Sequence, residues 1–274
     1  VGRDGRPQEF GAQLAFGELD VAIAGDDWIT ERVLEYRYAY NIDITLHKVL
    51  SMRRGSVRIV SIMRPMPDGQ DFDAWLRTLL ADKPLVTMVA EMPYLALHWF
   101  HEKLDALGFG DSHRAWSVQN YKTPPRIESG IVIYEAWGKT EAKVKSGAVD
   151  FGIEITQSGS AIRNYGLQIG EDVMHSETGV WADPRIKEDP VKYDIARMFL
   201  LNLYGAIFAE NKVLLLFNAH KENVPAILEY LSANRLFGDE PTINEGVNFT
   251  EFSVQMDLDN PELPVARVRY ELAK

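Results

Sequence analysis

Glu154 stands just ahead of a turn rich in hydroxyl residues, a combination that can bind a sugar phosphate. The strand-like run 150–155 leads into Thr156, Gln157, Ser158, Gly159, Ser160 and Ala161. Between a strand and a helix, backbone N–H groups and hydroxyls can donate to phosphate oxygens. The carboxylate can accept from ribose hydroxyls or hold a Mg²⁺ ion. The turn is therefore a candidate ribose 5-phosphate site, and the residues alone leave open a capped helix N-terminus with a solvated glutamate.

Two further motifs carry weaker chemical indications. The segment 138-GKT-140 has the ending of a nucleotide-binding P-loop, but Ile133 stands where that motif needs its first glycine, which argues against it. His98, His101 and Glu102 are spaced to share one helix face. Without a third strong ligand, an exposed polar face is favoured there over a metal site.

The elements that must position these residues alternate between strands and helices, which predicts an α/β fold. The strands are expected at 19–25, 44–50, 57–63, 85–90, 131–136, 149–155 and 178–183, and the helices at 26–36, 71–80, 94–108, 140–147 and 160–166. Residues 111–130 are expected to form a long loop or insertion. The similar segments 17–27 and 147–159 indicate two related lobes, each with a strand end where ligands bind in such folds.

The domain boundaries follow from this order. We predict a first lobe at 1–63, with 167–184 returning to it, and a second lobe at 64–166. A helix at 185–211 is expected to connect them to residues 212–274. That last part has the order β-α-β-(β)-α and predicts a small ferredoxin-like or ACT-like α+β domain.

The overall composition excludes several classes of function. The chain has 274 residues, 46% of them hydrophobic, and no cysteine, so thiolate catalysis and disulfides are excluded. The net charge of −11 argues against a general nucleic-acid surface. No apolar run is long enough for a membrane span, and no signal peptide is recognisable. The start at Val1 and the end inside a helical run predict that material is missing at both termini.

The segment 136–184, with its Gly-Lys-Thr-Glu and Thr-Gln-Ser-Gly-Ser-Ala motifs, resembles the signature region of ATP phosphoribosyltransferases. The segment 6–31 is similar to another part of the same family, and 212–231 with 241–243 is similar to the regulatory domain of its long forms. The resemblance implies a two-lobed, periplasmic-binding-protein-like catalytic core with the active site in the cleft. It also implies the Mg²⁺-dependent transfer of phosphoribosyl from phosphoribosyl pyrophosphate to N1 of ATP, the first step of histidine biosynthesis.

Residue roles follow from the resemblance by position. It implies that the loop 156–161 holds the 5-phosphate, that Glu154 meets the ribose hydroxyls, and that Glu141 is a second signature acid. Gly25 and Asp27, in the Ala-Gly-Asp-Asp-Trp turn, would contact the adenosine. The resemblance further implies histidine as a feedback inhibitor, a homo-hexamer and a cytoplasmic location, with no nucleic-acid or membrane partner.

Several residues depart from the family pattern. Glu154 stands where aspartate is usual, Ala161 where a hydroxyl residue is usual, and Leu97 and His98 where basic residues are usual. The family's N-terminal strand and its glycine-lysine-arginine loop have no counterpart. Two alternatives therefore remain: a non-catalytic ligand-binding or regulatory paralogue, and a phosphoribosyltransferase for another base.

Overall fold

A computed structural model describes residues 5–66, 70–236 and 242–274 of the chain. The chain divides into two compact units, 1–196 and 197–274. The helices of the first unit are α1 (Pro7–Ala15), α2 (Asp26–Tyr40), α3 (Phe72–Asp82), α4 (Pro93–Leu107), α5 (Thr140–Lys145) and α6 (Ser160–Asn164). Its strands are β1 (Val21–Gly25), β2 (His47–Ser51), β3 (Val57–Met63), β4 (Leu85–Ala90), β5 (Trp116–Asn120), β6 (Gly130–Glu135), β7 (Phe151–Thr156), β8 (Gln168–Ser176) and β9 (Thr178–Ala182).

Two sheets in the first unit define two lobes. The small sheet has the order β1-β9-β2 and packs against α1 and α2 through a core that includes Leu14, Ala22 and Ile29. The larger sheet has the order β5-β6-β4-β7-β3-β8. Neighbouring residues of β4 face opposite sides of this sheet: Met88 lies in one apolar core and Val89 in another. The sheet is therefore covered on both faces, as expected for strands in an α/β fold.

The structure corrects the predicted division between the lobes. β3 pairs with β7 and β8 in the larger sheet, so the predicted place of 57–63 in the first lobe is wrong. β8 also belongs to the larger sheet, and of the segment 167–184 only β9 pairs with the smaller one. The apolar pattern of β3 shows that the strand is buried, but that pattern is the same whichever sheet buries it.

The segment 111–130 also differs from the predicted loop, because it contains the edge strand β5. Gln119 on this strand is buried, and its amide donates to Thr123 Oγ1 at 2.7 Å and to the Pro124 carbonyl at 2.8 Å. A strand is predicted from apolar residues at its buried positions, but here a polar amide occupies a buried position and holds the following loop. The strand was therefore not recognisable from its sequence.

The second unit has its own core. The helix α7 (Pro190–Ala209) contains the boundary between the units, and β10 (Lys212–His220), α8 (Val224–Ala233), β11 (Thr242–Glu245), β12 (Phe249–Asp257) and α9 (Val265–Leu272) follow. The sheet order is β10-β12-β11, and both pairings are antiparallel. This confirms the small C-terminal α+β domain. Across the described residues, no helix combines the length and apolarity that crossing a bilayer requires.

Candidate active site

The larger sheet presents Glu154 near the end of β7, where the strand leaves the buried core. Burial, reinforced by the neighbouring charge of Glu141, raises the pKa of Glu154 to about 7. Two hydrogen bonds lower the pKa of Glu154. The Ile155 N–H donates to Glu154 Oε1 at 2.9 Å, and the Thr140 hydroxyl is the second donor. A carboxyl with this pKa is partly protonated near neutral pH, so its charge responds to any cation or donor that binds beside it.

The predicted carboxylates come together from separate elements. Glu141 lies in the first turn of α5, and its charge acts on Glu154. Glu91, which was not identified from the sequence, directly follows β4. Burial and the charge of Asp27 raise the pKa of Glu91. The charge of Glu91 in turn raises the pKa of Glu154. A glutamate directly after a predicted buried strand was the signal that could have identified Glu91.

The loop 156–161 follows β7 and is organised by its own hydroxyls. Thr156 Oγ1 accepts from the Gly159 N–H at 2.8 Å, and the Ser158 and Ser160 hydroxyls are 2.8 Å apart. Gly159 has a φ of +71°, a left-handed conformation that glycine adopts without steric cost. The loop is therefore a defined turn with exposed hydroxyls, Gln157 and Ala161 at its surface.

The Arg163 guanidinium lies beside this loop. The helix α6 spans Ser160–Asn164, two residues shorter than the predicted 160–166, so the dipole at the loop is weak. The Arg163 guanidinium donates to the Ser158 carbonyl at 2.8 Å and lies 3.4 Å from Ser160 Oγ. Arg163 is exposed and was not singled out from the sequence. It supplies the positive charge that the neutral hydroxyls lack.

Gly25 and Asp27 lie where β1 passes into α2. Asp27 is buried, its Oδ1 accepts from the Trp28 N–H at 2.8 Å, and its own N–H donates to Ser176 Oγ at 3.1 Å. A Cβ on Gly25 would collide with Asp27 Oδ1, so the glycine is needed for the carboxylate to fold back on the chain. The structure therefore places Asp27 on the smaller lobe, with its charge acting on Glu91 of the larger lobe.

A second buried acid joins the lobes and was missed from the sequence. Glu31 on α2 is 4% exposed, and its carboxylate accepts from the Tyr94 N–H at 3.1 Å and the Leu95 N–H at 2.7 Å. These N–H groups belong to the first turn of α4, where backbone N–H groups have no hydrogen-bond partner within the helix. The Glu31 carboxyl group supplies the missing acceptors. The spacing of Asp27 and Glu31 on one face of α2 was the available signal.

The α4 positions that depart from the family pattern have structural roles here. Leu97 is fully buried in the core of the larger lobe. His98 Nδ1 lies 3.0 Å from the Tyr38 hydroxyl. Within the parts of the chain that the structure describes, His98, His101 and Glu102 do not form a metal-binding group with any other such side chain.

Comparisons with known proteins identify the family. The family model for ATP phosphoribosyltransferase matches residues 6–201. The ATP phosphoribosyltransferase of Nitratidesulfovibrio vulgaris is 32% identical, over 93% of this chain and 73% of that protein. The Desulfatibacillum aliphaticivorans enzyme is 28% identical over the same shares. A chain of the ATP phosphoribosyl transferase complex from Thermotoga maritima is 16% identical with a TM-score of 0.52, and the match covers 75% of this chain and 79% of that one. This likeness supports the fold alone. The chain therefore belongs to the ATP phosphoribosyltransferase family, the glycosyltransferases that carry out the first step of histidine biosynthesis.

Proposed function

We propose that the cleft between the two lobes binds phosphoribosyl pyrophosphate and ATP and transfers the phosphoribosyl group to N1 of the adenine. The observation that carries this proposal is the convergence of Glu141 and Glu154 beside the loop 156–161. The family resemblance assigns Glu154 and this loop to the sugar phosphate and identifies Glu141 as a second signature acid. In the reaction the N1–C1 bond forms as the bond from C1 to pyrophosphate breaks.

The 5-phosphate would bind the loop. Its donors are the exposed hydroxyls of Ser158 and Ser160, with the Arg163 guanidinium beside them. A charged donor strengthens hydrogen bonds to a phosphate beyond those from neutral groups. Ala161 contributes only its backbone N–H, so Arg163 compensates for the missing hydroxyl.

Glu154 would accept hydrogen bonds from the ribose hydroxyls in its ionised form. Hydroxyl donors stabilise the charged carboxylate, so binding would lower the raised pKa of Glu154. Positioning the ribose in this way leaves C1 facing the acceptor base. Asp27 and Gly25, on the opposing lobe, would contact the adenosine.

Mg²⁺ would be bound at this site mainly by the phosphates of the substrate and only partly by the protein. Among the described residues, no three acidic or histidine side chains form a metal-binding group. Mg²⁺ commonly uses one or two carboxylates, water and substrate phosphates, and the charge of Glu141 beside Glu154 offers such a partial set. When bound, the ion would stabilise the negative charge of the departing pyrophosphate.

The C-terminal unit would carry regulation by histidine. A cavity of about 390 Å³ lies in this unit, and its lining includes Asn218, Asn244 and Glu251. Amides and a carboxylate can hold the amino and imidazole groups of an amino acid. We further propose a homo-hexamer and a cytoplasmic location, both supported by the resemblance to the long forms of the family.

An absorbance assay of phosphoribosyl-ATP formation tests the proposal. The protein should form product at saturating ATP, phosphoribosyl pyrophosphate and Mg²⁺. Glu154→Gln should lower kcat/KM for phosphoribosyl pyrophosphate, while Glu128→Gln, a change at an exposed glutamate on the same lobe, should leave it unchanged. Substrate binding without turnover in calorimetry would instead support a regulatory paralogue. Transfer to a different purine alone would support another acceptor base.

A further inference from the structure

Two tryptophans, one from each lobe, stack on each other. The ring of Trp28, in the first turn of α2, lies parallel to the ring of Trp137, with 6.0 Å between centroids and 9° between planes. Trp28 is partly buried and packs against the core of the larger lobe. Trp137, in contrast, is 63% exposed. One ring is therefore anchored, while the other presents most of its aromatic surface to solvent.

The turn that carries Trp137 is built with backbone strain. Gly138 and Lys139, which follow it, both adopt the left-handed conformation, with φ of +72° and +58°. This conformation is sterically unfavourable for a non-glycine residue such as Lys139, and such strain concentrates at functional sites. Lys143 holds the turn, because its Nζ donates to the Gly138 carbonyl at 2.7 Å and to the Lys139 carbonyl at 3.3 Å.

The same turn leads directly to the acids of the proposed sugar phosphate site. Thr140, whose hydroxyl hydrogen-bonds Glu154, and Glu141 come three and four residues after Trp137. On the other lobe, Trp28 follows Asp27 directly. The exposed indole thus lies between the residues proposed for the sugar and those proposed for the adenosine, where the acceptor ring must lie to reach C1.

We propose that Trp137 is the stacking surface for the acceptor purine of ATP, with Trp28 as its anchored neighbour. This inference rests on the proposed function and adds the residue that binds the base. A planar purine suits an indole face, whereas the charged phosphates and the hydroxyl-rich ribose do not. Stacking of a base on an aromatic side chain contributes about 1–3 kcal/mol, which corresponds to an affinity change of roughly 5- to 150-fold.

Steady-state kinetics on the full chain test the proposal with three variants. Trp137→Ala should raise KM for ATP roughly 5- to 150-fold and leave KM for phosphoribosyl pyrophosphate unchanged. Trp137→Phe should recover most of the ATP affinity, because a smaller aromatic ring remains. Tyr40→Ala removes another exposed aromatic side chain, 59% exposed at the far end of α2, and should change neither KM.

Calorimetry separates base binding from phosphate binding and from turnover. Trp137→Ala should weaken binding of ATP but not of tripolyphosphate, which lacks the base. Unchanged ATP affinity, or equal losses for ATP and phosphoribosyl pyrophosphate, would overturn the stacking role and leave Trp137 as a contact between the lobes only. A wild-type protein that binds ATP through Trp137 yet forms no product would contradict the proposed function and support the stacking role.

Discussion

Replacing Glu31 should change how the stability of the first unit depends on pH. Burial raises the pKa of Glu31 to about 7 from 4.5, even though the Tyr94 and Leu95 N–H groups and the charge of Arg32 favour the ionised form. The charge of Glu135 acts in the same direction as burial. The folded protein therefore holds a proton on Glu31 that the unfolded chain releases between these two pH values.

The sign and the size of the effect follow from this difference. A carboxyl whose pKa is higher in the folded state stabilises the protein fully below pH 4.5, and this contribution is lost as pH rises through about 7. The whole difference corresponds to about 3 kcal/mol. Between pH 5.5 and pH 8, the part of the free energy of unfolding that depends on Glu31 should decrease by about 2 kcal/mol.

Urea unfolding followed by tryptophan fluorescence measures this change. All six tryptophans lie in residues 1–196, so their emission reports the first unit. The Glu31→Gln variant cannot ionise, so its free energy of unfolding should decrease less with pH than that of the wild type, by about 2 kcal/mol over this range. Glu154 titrates in both proteins and cancels in the comparison. Glu128→Gln, at an exposed site, should follow the wild-type profile.

Parallel profiles for the wild type and Glu31→Gln would refute the reasoning. They would mean that Glu31 titrates equally in the folded and unfolded chains, so that the two N–H groups of α4 compensate for burial completely. The absolute stability of the variant does not decide the question, because a glutamine amide offers one acceptor oxygen where the carboxyl group uses two, which weakens the contact at every pH.

Two further predictions concern the proposed sugar phosphate site. Because the pKa of Glu154 is about 7 and its ionised form would bind the ribose hydroxyls, kcat/KM for phosphoribosyl pyrophosphate should rise as pH increases through 7. The Glu154→Gln profile should lose this rise, and an unchanged profile would remove Glu154 from the site. Ala161→Thr should lower KM for phosphoribosyl pyrophosphate by about 2- to 10-fold, since the exposed position has room for a hydroxyl donor. An unchanged KM would mean that the phosphate does not reach position 161.

The local parts of the candidate site could be predicted from the sequence. The alternation that ends at Glu154 predicts β7, and the hydroxyls and Gly159 that follow predict a turn. These features depend on residues close together in the chain. The roles of the loop and of Glu154 in substrate binding remain predictions that rest on the family resemblance.

Contacts between distant segments could not be predicted in the same way. Glu31 accepts from N–H groups 63 and 64 residues away, and Trp28 stacks on Trp137 of the larger lobe. In the sequence Glu31 shares a helix face with Asp27, but nothing indicates which distant group Glu31 or Trp137 contacts. Only the pairing of the lobes distinguishes them, and no local periodicity encodes that pairing.

The first turns of α2 connect the two lobes. Asp27 acts electrostatically on Glu91, Trp28 stacks on Trp137, and Glu31 caps α4. These three side chains lie within five residues of one rigid helix, so a shift of α2 relative to the larger lobe changes all three contacts together. Phosphoribosyl transfer needs the base and the ribose aligned to within a fraction of an ångström. A helix that carries both the proposed adenosine contact and the interlobe contacts provides a structural means of coupling base binding to the position of the smaller lobe.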